Sequence, residues 1–145
     1  MKAVIIFADG FEECEGLLFV DILRRAKIDI TTVSISDSLS VRSLHDVIVQ
    51  TDALLKDVKP EDFDTCIVPG GFIGMANLKS SVATREFVQA FDKQDKPIAA
   101  VCSGPAVLAS YGVGEGLKST SHYSVREEIP ENSFVDTSVV EDGKL

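Results

Sequence analysis

The chain has 145 residues, 45% of them hydrophobic and 26% charged, which is the composition of one globular domain with its own core. Its 23 acidic and 14 basic side chains give a formal net charge of −9, which argues against a nucleic acid or an anionic membrane as the partner. No segment has the length and apolar character of a membrane span. Three cysteines without a C-x-x-C spacing favour a reducing, cytoplasmic location over a disulfide framework.

Apolar strands alternate with amphipathic helices along the chain. Continuous or alternating apolar runs predict strands, and apolar positions at helical spacing predict helices. The predicted strands are residues 2–7, 28–34, 47–49, 64–68 and 98–101, and the predicted helices are residues 12–26, 82–91 (with Ser81 as a cap) and 105–111. This order predicts a single α/β domain with a mostly parallel sheet.

Three predicted strand ends carry residues that suit a functional site. Asp9 and Gly10 follow the first strand and lead to Glu15, Gly70 and Gly71 follow a later one, and Cys102 follows the strand at 98–101. In open parallel sheets the ligand crevice lies outside the carboxyl ends of the strands. We therefore expect one site to be assembled from all three segments.

Cys102 is the strongest candidate for chemistry. The apolar run before it stops at Cys102-Ser103-Gly104-Pro105, and helix-forming residues follow at once. A cysteine at such a turn has its sulfur directed out of the sheet and beside a helix N-terminus, where thiolate is favoured. The thiolate is the nucleophile in covalent catalysis. The alternative is a small apolar residue that ends a buried strand.

The other candidates each have two interpretations. Glu15 is either a surface carboxylate in a first helical turn or a general acid or base at the crevice. Gly70 and Gly71 form either a tight turn or a pair of backbone N–H groups for a developing oxyanion. His122 is either a structural histidine or a partner of Cys102. The histidines and cysteines show no metal-ligand spacing, so we expect neither a metal nor a cofactor.

Three ordered motifs carry a family resemblance: FADGFEECE at residues 7–15, VPGG at 68–71 and AAVCSGP at 99–105. Together they resemble the ThiJ/PfpI superfamily, most closely the branch of the Parkinsonism-associated protein deglycase. The resemblance implies a flavodoxin-like sandwich, usually a homodimer, with Cys102 as the reactive thiol and Glu15 hydrogen-bonded to it. It implies that Gly71 and Ser103 supply backbone N–H groups, and that His122 is the family histidine near the cysteine.

The resemblance implies two classes of function. One is an enzyme of the glyoxalase or deglycase type, which acts on a small aldehyde such as methylglyoxal through Cys102 and Glu15. The other is a redox sensor or chaperone that signals through oxidation of Cys102. Both use the same residues, so the sequence does not choose between them. Peptidase-like relatives place a histidine directly after the cysteine, where this chain has Ser103, so peptidase or amidase activity is disfavoured.

The end of the chain gives a further expectation. Residues 134–140 predict a strand and residues 141–144 a hairpin turn of the Asp-Gly kind, but only Leu145 remains for a returning strand. Relatives in the resembled family continue into a further loop and a final helix. We expect the domain at residues 1–145 to lack its C-terminal strand and helix, as a piece that was cleaved and stays bound or was lost. The alternative is a natural short variant whose exposed face is covered by a dimer partner.

Overall fold

The computed structural model describes residues 1–145 as a five-stranded parallel sheet with helices on both faces. The strands are Lys2–Phe7 (β1), Asp29–Ser34 (β2), Ser40–Arg42 (β3), Ile48–Gln50 (β4), Ala53–Leu54 (β5), Thr65–Val68 (β6) and Ile98–Ala100 (β7). The α-helices are Glu13–Arg25 (α1), Phe72–Ser80 (α2), Val82–Lys93 (α3) and Gly104–Ser110 (α4). Three short 3-10 helices cover Leu55–Asp57, Pro60–Asp62 and Tyr123–Glu128. None of the helices is long and apolar enough to cross a membrane.

The sheet places β1 at its centre. The strand order is β5-β2-β1-β6-β7, and every neighbouring pair is parallel. In β1, Ile5 lies opposite Thr32 on one side and Ile67 on the other. From β1 the chain builds outward through β2 and β5, and then returns to the other side for β6 and β7. This reversal between β1 and β6 is the topological switch point at which α/β folds bind ligands.

Alternate residues of β1 enter two separate cores, because successive side chains of a strand point to opposite faces. Val4 and Ile6 belong to the larger core, which α2, α3 and α4 cover. Ile5 and Phe7 belong to the smaller core, on the face that α1 covers through Val20. The α/β, flavodoxin-like architecture predicted from the sequence is therefore confirmed.

Most predicted elements occur with shifted ends, and several elements were not predicted. The strand predicted at 47–49 is β4, shifted by one residue, and it pairs with β3 in an antiparallel hairpin outside the main sheet. Neither β3 nor β5 was predicted, since both are too short to show a pattern. α2 was also missed, because it directly follows Gly70 and Gly71 and contains Gly74, residues that normally indicate a loop.

The predicted strand at 134–140 is wrong. Within it only Phe134 forms a bridge, to Ser119, and residues 135–145 contain no strand. The turn near Gly143 does occur, with Asp142 and Leu145 bonded to each other, but it does not join two strands. The carbonyl of Lys144 instead accepts from the N–H of Ile98, at the start of β7. The β-branched and apolar residues of this segment have no neighbouring strand to pair with, so their composition alone does not produce a strand.

Ser81 caps α3, as the sequence predicted. Ser81 Oγ accepts from the N–H of Thr84 at 3.1 Å, so it satisfies one of the unpaired N–H groups at the start of the helix. We expect Ser81→Ala to lower the free energy of unfolding by about 1 kcal/mol. Urea unfolding measures this, with Ser80→Ala as the matched control, because the Ser80 hydroxyl bonds only the carbonyl of Asn77. Equal unfolding midpoints for the two variants would contradict the assignment.

Candidate functional site

The loops that follow β1 and β6 are joined by Glu12, Glu15 and Gly70. The carboxylate of Glu12 caps α1 by accepting from the N–H of Glu15 at 2.7 Å. The Glu15 side chain then reaches across the switch point, where its Oε2 accepts from the N–H of Gly70 at 2.8 Å. A second bond, from the N–H of Glu12 to the carbonyl of Gly70, is 2.9 Å long. The Glu15 carboxyl group is therefore held in place by backbone groups of both loops.

Cys102 occupies a turn between β7 and α4. Its φ is +58°, a left-handed conformation that costs a non-glycine residue of the order of 1–3 kcal/mol and persists only where the surroundings enforce it. Here the N–H of Gly104 bonds the carbonyl of Val101 at 2.8 Å, and the carbonyl of Cys102 accepts from the N–H of His122 at 2.9 Å. The residue is half-buried.

Gly70 lets Glu15 and Cys102 come together. A Cβ added to Gly70 would lie 2.5 Å from Glu15 Oε2, 2.8 Å from Cys102 Cβ and 3.1 Å from the Ser103 nitrogen. All three atoms thus surround the same point, and only a residue without a side chain leaves it free. The structure therefore brings together Glu15, Gly70, Cys102 and Ser103, as the analysis of the strand ends predicted.

The surroundings of Cys102 favour the protonated thiol. Burial raises the pKa of Cys102 to about 11, and the hydrogen bond and negative charge of Glu15 act in the same direction. The backbone N–H groups of Ser103 and Gly71 lower this pKa, but by less. The prediction that the turn at Cys102 favours thiolate is therefore wrong. A thiolate at Cys102 would be a second negative charge beside the Glu15 carboxyl group, and this repulsion disfavours it.

The backbone of Ser103, and not its side chain, faces the thiol. Its N–H acts on the Cys102 sulfur together with the N–H of Gly71, in line with the positions that the sequence indicated. The Ser103 hydroxyl is buried and has no hydrogen-bond partner. Gly71 has a φ of +104°, which a side chain would disfavour, and an added Cβ would lie 2.4 Å from the carbonyl oxygen of Gly10.

His122 reaches the site through its backbone. While its N–H bonds the Cys102 carbonyl, its imidazole Nδ1 lies 2.7 Å from the Ser124 hydroxyl and 3.3 Å from the Ser124 nitrogen. The imidazole thus caps the following 3-10 helix. The structure shows no hydrogen bond between this ring and the Cys102 side chain.

Two features of the surroundings could not be predicted from the sequence. Glu12, Glu13 and His45 place donor atoms within 4.8 Å of one another, a grouping of the kind that holds metals, although Glu12 already caps α1 and His45 Nδ1 bonds Glu13 at 2.9 Å. The β3–β4 hairpin brings His45 there, so linear spacing hides it. Separately, a cavity of about 450 Å³ lies beside α4, and it is lined by none of the candidate site residues.

The raised pKa of Cys102 can be tested by alkylation. Below the thiol pKa the thiolate fraction rises about tenfold per pH unit, so the alkylation rate of Cys102 should still be rising at pH 9. Glu15→Gln removes the negative charge, so we expect its rate profile to shift to lower pH. Iodoacetamide labelling with peptide mass mapping measures both profiles, and the exposed Cys14 serves as the internal control. A wild-type profile that is already flat at neutral pH would contradict the prediction.

Comparisons with known proteins give the family. Residues 1–145 match the DJ-1/PfpI family. The chain is 34% identical to Protein dj-1beta of Drosophila melanogaster over 99% of this chain and 78% of that protein. It is 30% identical to Deglycase TK1284 of Thermococcus kodakarensis over 99% of this chain and 86% of that protein. The solved structure of oxidized DJ-1 from Toxoplasma gondii superposes with a TM-score of 0.93 at 30% identity, over 99% of this chain and 78% of that one. The chain therefore belongs to the DJ-1/PfpI family.

Proposed function

We propose that the chain is a cofactor-independent enzyme of the glyoxalase or deglycase type, which converts a small 2-oxoaldehyde such as methylglyoxal into a 2-hydroxy acid. The observation that carries the proposal is the convergence of Glu15 Oε2, Cys102 Cβ and the Ser103 nitrogen around Gly70. A nucleophile, a group that moves protons and a backbone donor are the parts that this reaction needs.

The first step forms a bond between Cys102 Sγ and the aldehyde carbon. A thiol with a pKa of about 11 is protonated at neutral pH, so a base has to remove its proton as the sulfur attacks. Glu15, as a carboxylate beside the thiol, takes this proton and gives it to the aldehyde oxygen, which yields a hemithioacetal. Charge develops on that oxygen next to the sulfur, where the N–H groups of Gly71 and Ser103 stabilise it.

The second step moves a proton between two carbons. Glu15 removes the proton from the carbon bonded to sulfur, which gives an enediolate, and returns it to the neighbouring carbon. The hydroxyl proton on the first carbon moves to the oxygen on the second, so that the first carbon becomes a carbonyl. The product is a 2-hydroxy thioester on Cys102. Water then cleaves the carbon–sulfur bond, which releases the 2-hydroxy acid and the thiol. The sum is addition of one water to the 2-oxoaldehyde, so no external oxidant or reductant is needed.

The deglycase name of the Thermococcus relative supports a reaction of this class, since that protein matches 99% of this chain. The redox alternative has an observation of its own. N–H groups of Gly71 and Ser103 that act on the Cys102 sulfur would also stabilise the negative charge of a sulfinate. The two functions differ in one requirement, because turnover needs reduced Cys102 and signalling needs its oxidation.

Turnover of methylglyoxal by the fully reduced protein tests the enzyme proposal. We expect lactate formation to be lost in Cys102→Ser, because a serine hydroxyl is a far weaker nucleophile at neutral pH. Glu15→Gln should lower kcat by about a hundredfold or more, since it keeps the hydrogen bond to Gly70 but moves no proton. Chromatographic quantification of lactate measures both effects.

The matched control is Cys14→Ser, which makes the same substitution at an exposed cysteine on α1. Its turnover should equal that of the wild type. Full activity in Cys102→Ser, or no lactate from the reduced wild-type protein, would overturn the enzyme proposal. The second result, together with selective oxidation of Cys102 by peroxide, would favour the redox alternative.

A further inference from the structure

Three aromatic side chains form a continuous row beside Cys102, which we call the aromatic rim: Phe72, His122 and Tyr123. The ring centroids of Phe72 and His122 lie 6.3 Å apart at 78°, in an edge-to-face arrangement. Those of His122 and Tyr123 lie 4.3 Å apart at 39°. Phe72 is 50% exposed and Tyr123 is 83% exposed. The rim therefore presents aromatic surface to solvent and not to the core.

Two residues of the rim are connected through the backbone to groups that surround Cys102. Phe72 is the first residue of α2 and directly follows Gly71, whose N–H acts on the Cys102 sulfur. His122 donates its backbone N–H to the Cys102 carbonyl at 2.9 Å. A molecule that is bonded to Cys102 thus lies beside the two backbone segments that carry the rim.

The elements that carry the rim are connected to each other. Phe72 lies on α2, while Tyr123 begins the 3-10 helix Tyr123–Glu128. An ion pair between Lys79 of α2 and Glu128 of that helix joins the two elements. The contact of the imidazole with Ser124 fixes the plane of the central ring. The rim is consequently a built surface, whose rings are held in place before any ligand arrives.

The chemistry of the rim favours one kind of substituent on a substrate that reacts with Cys102. None of its three side chains is a lysine or an arginine, and the Lys79 ammonium on α2 is paired with Glu128, so the rim itself offers no such cation to a carboxylate or phosphate tail. Aromatic rings instead favour offset or edge-to-face contacts with another ring. We propose that the aromatic rim is a subsite for the aryl substituent of a 2-oxoaldehyde, so that the site prefers aryl substrates over methylglyoxal. This inference rests on the proposed function.

The test compares phenylglyoxal, which yields mandelate, with methylglyoxal, which yields lactate. We expect kcat/KM to be about tenfold or more higher for phenylglyoxal, the gain that one or two aromatic contacts supply. The ratio should fall toward unity in Phe72→Ala and in the Phe72→Ala/Tyr123→Ala double variant. Val82→Ala is the control, since Val82 is a similarly exposed apolar residue (55%) at the start of α3, outside the rim. Its ratio should match that of the wild type.

The subsite proposal would be overturned if both aldehydes are turned over and the kcat/KM ratio of phenylglyoxal to methylglyoxal is near or below unity. A ratio that the rim substitutions leave unchanged would overturn it too. Either result would leave the proposed function standing. If neither aldehyde is turned over, the result would count against the proposed function. A second measurement then tests whether the rim binds an aryl group. Phenacyl bromide and bromoacetone both alkylate Cys102 with loss of bromide and differ in their aryl and methyl groups.

In this second measurement each alkylation rate is divided by the rate with a free thiol, which removes the intrinsic reactivity of the reagent. We expect the normalised preference for phenacyl bromide to be about tenfold at Cys102, and to be lost in Phe72→Ala but retained in Val82→Ala. Equal normalised rates for the two reagents in the wild-type protein would overturn the proposal that the rim is an aryl subsite.

Discussion

The close approach of Glu15 to Cys102 across Gly70 is the constraint on which the site depends. A side chain at Gly70 would occupy the point that Glu15 Oε2, Cys102 Cβ and the Ser103 nitrogen surround. The hydrogen bond from the Gly70 N–H holds the Glu15 carboxyl group there. Gly70 therefore both leaves room for the two side chains and fixes the position of one of them. Burial and the negative charge of Glu15 raise the pKa of Cys102, so the thiol is favoured over the thiolate. The thiol proton is the one that the proposed reaction moves.

The sheet topology explains why these residues meet. The order in which strands are added to the sheet reverses between β1 and β6, and the loops after these two parallel strands lie side by side. Glu15 comes from the helix after β1, and Gly70 from the turn after β6. Cys102 follows β7, the strand next to β6, and its left-handed conformation is held by bonds to neighbouring backbone groups. The architecture thus determines which residues are adjacent, and short-range contacts raise the pKa of Cys102.

The sequence predicted the fold class and the residues that converge, because buried strands and the residues that end them are visible as local patterns. It failed where the outcome depends on the environment. The turn at Cys102 suggested a stabilised thiolate, yet burial and the charge of Glu15 raise its pKa to about 11. The strand predicted at 134–140 is rich in residues that favour strands, but it has no pairing strand. The contact of His122 with Ser124, and the row of rings that it completes, also require three-dimensional information.

The most direct test of the central claim is the substitution Gly70→Ala, read out in two ways. The added methyl group displaces the Glu15 carboxylate from the thiol, and a displacement of about 1 Å lowers turnover by about a hundredfold. Moving this charge away should also shift the alkylation profile of Cys102 to lower pH, as in Glu15→Gln. We predict both changes, in a protein whose circular dichroism spectrum remains that of the folded wild type. A folded Gly70→Ala protein with unchanged methylglyoxal turnover and an unchanged alkylation profile would contradict the account.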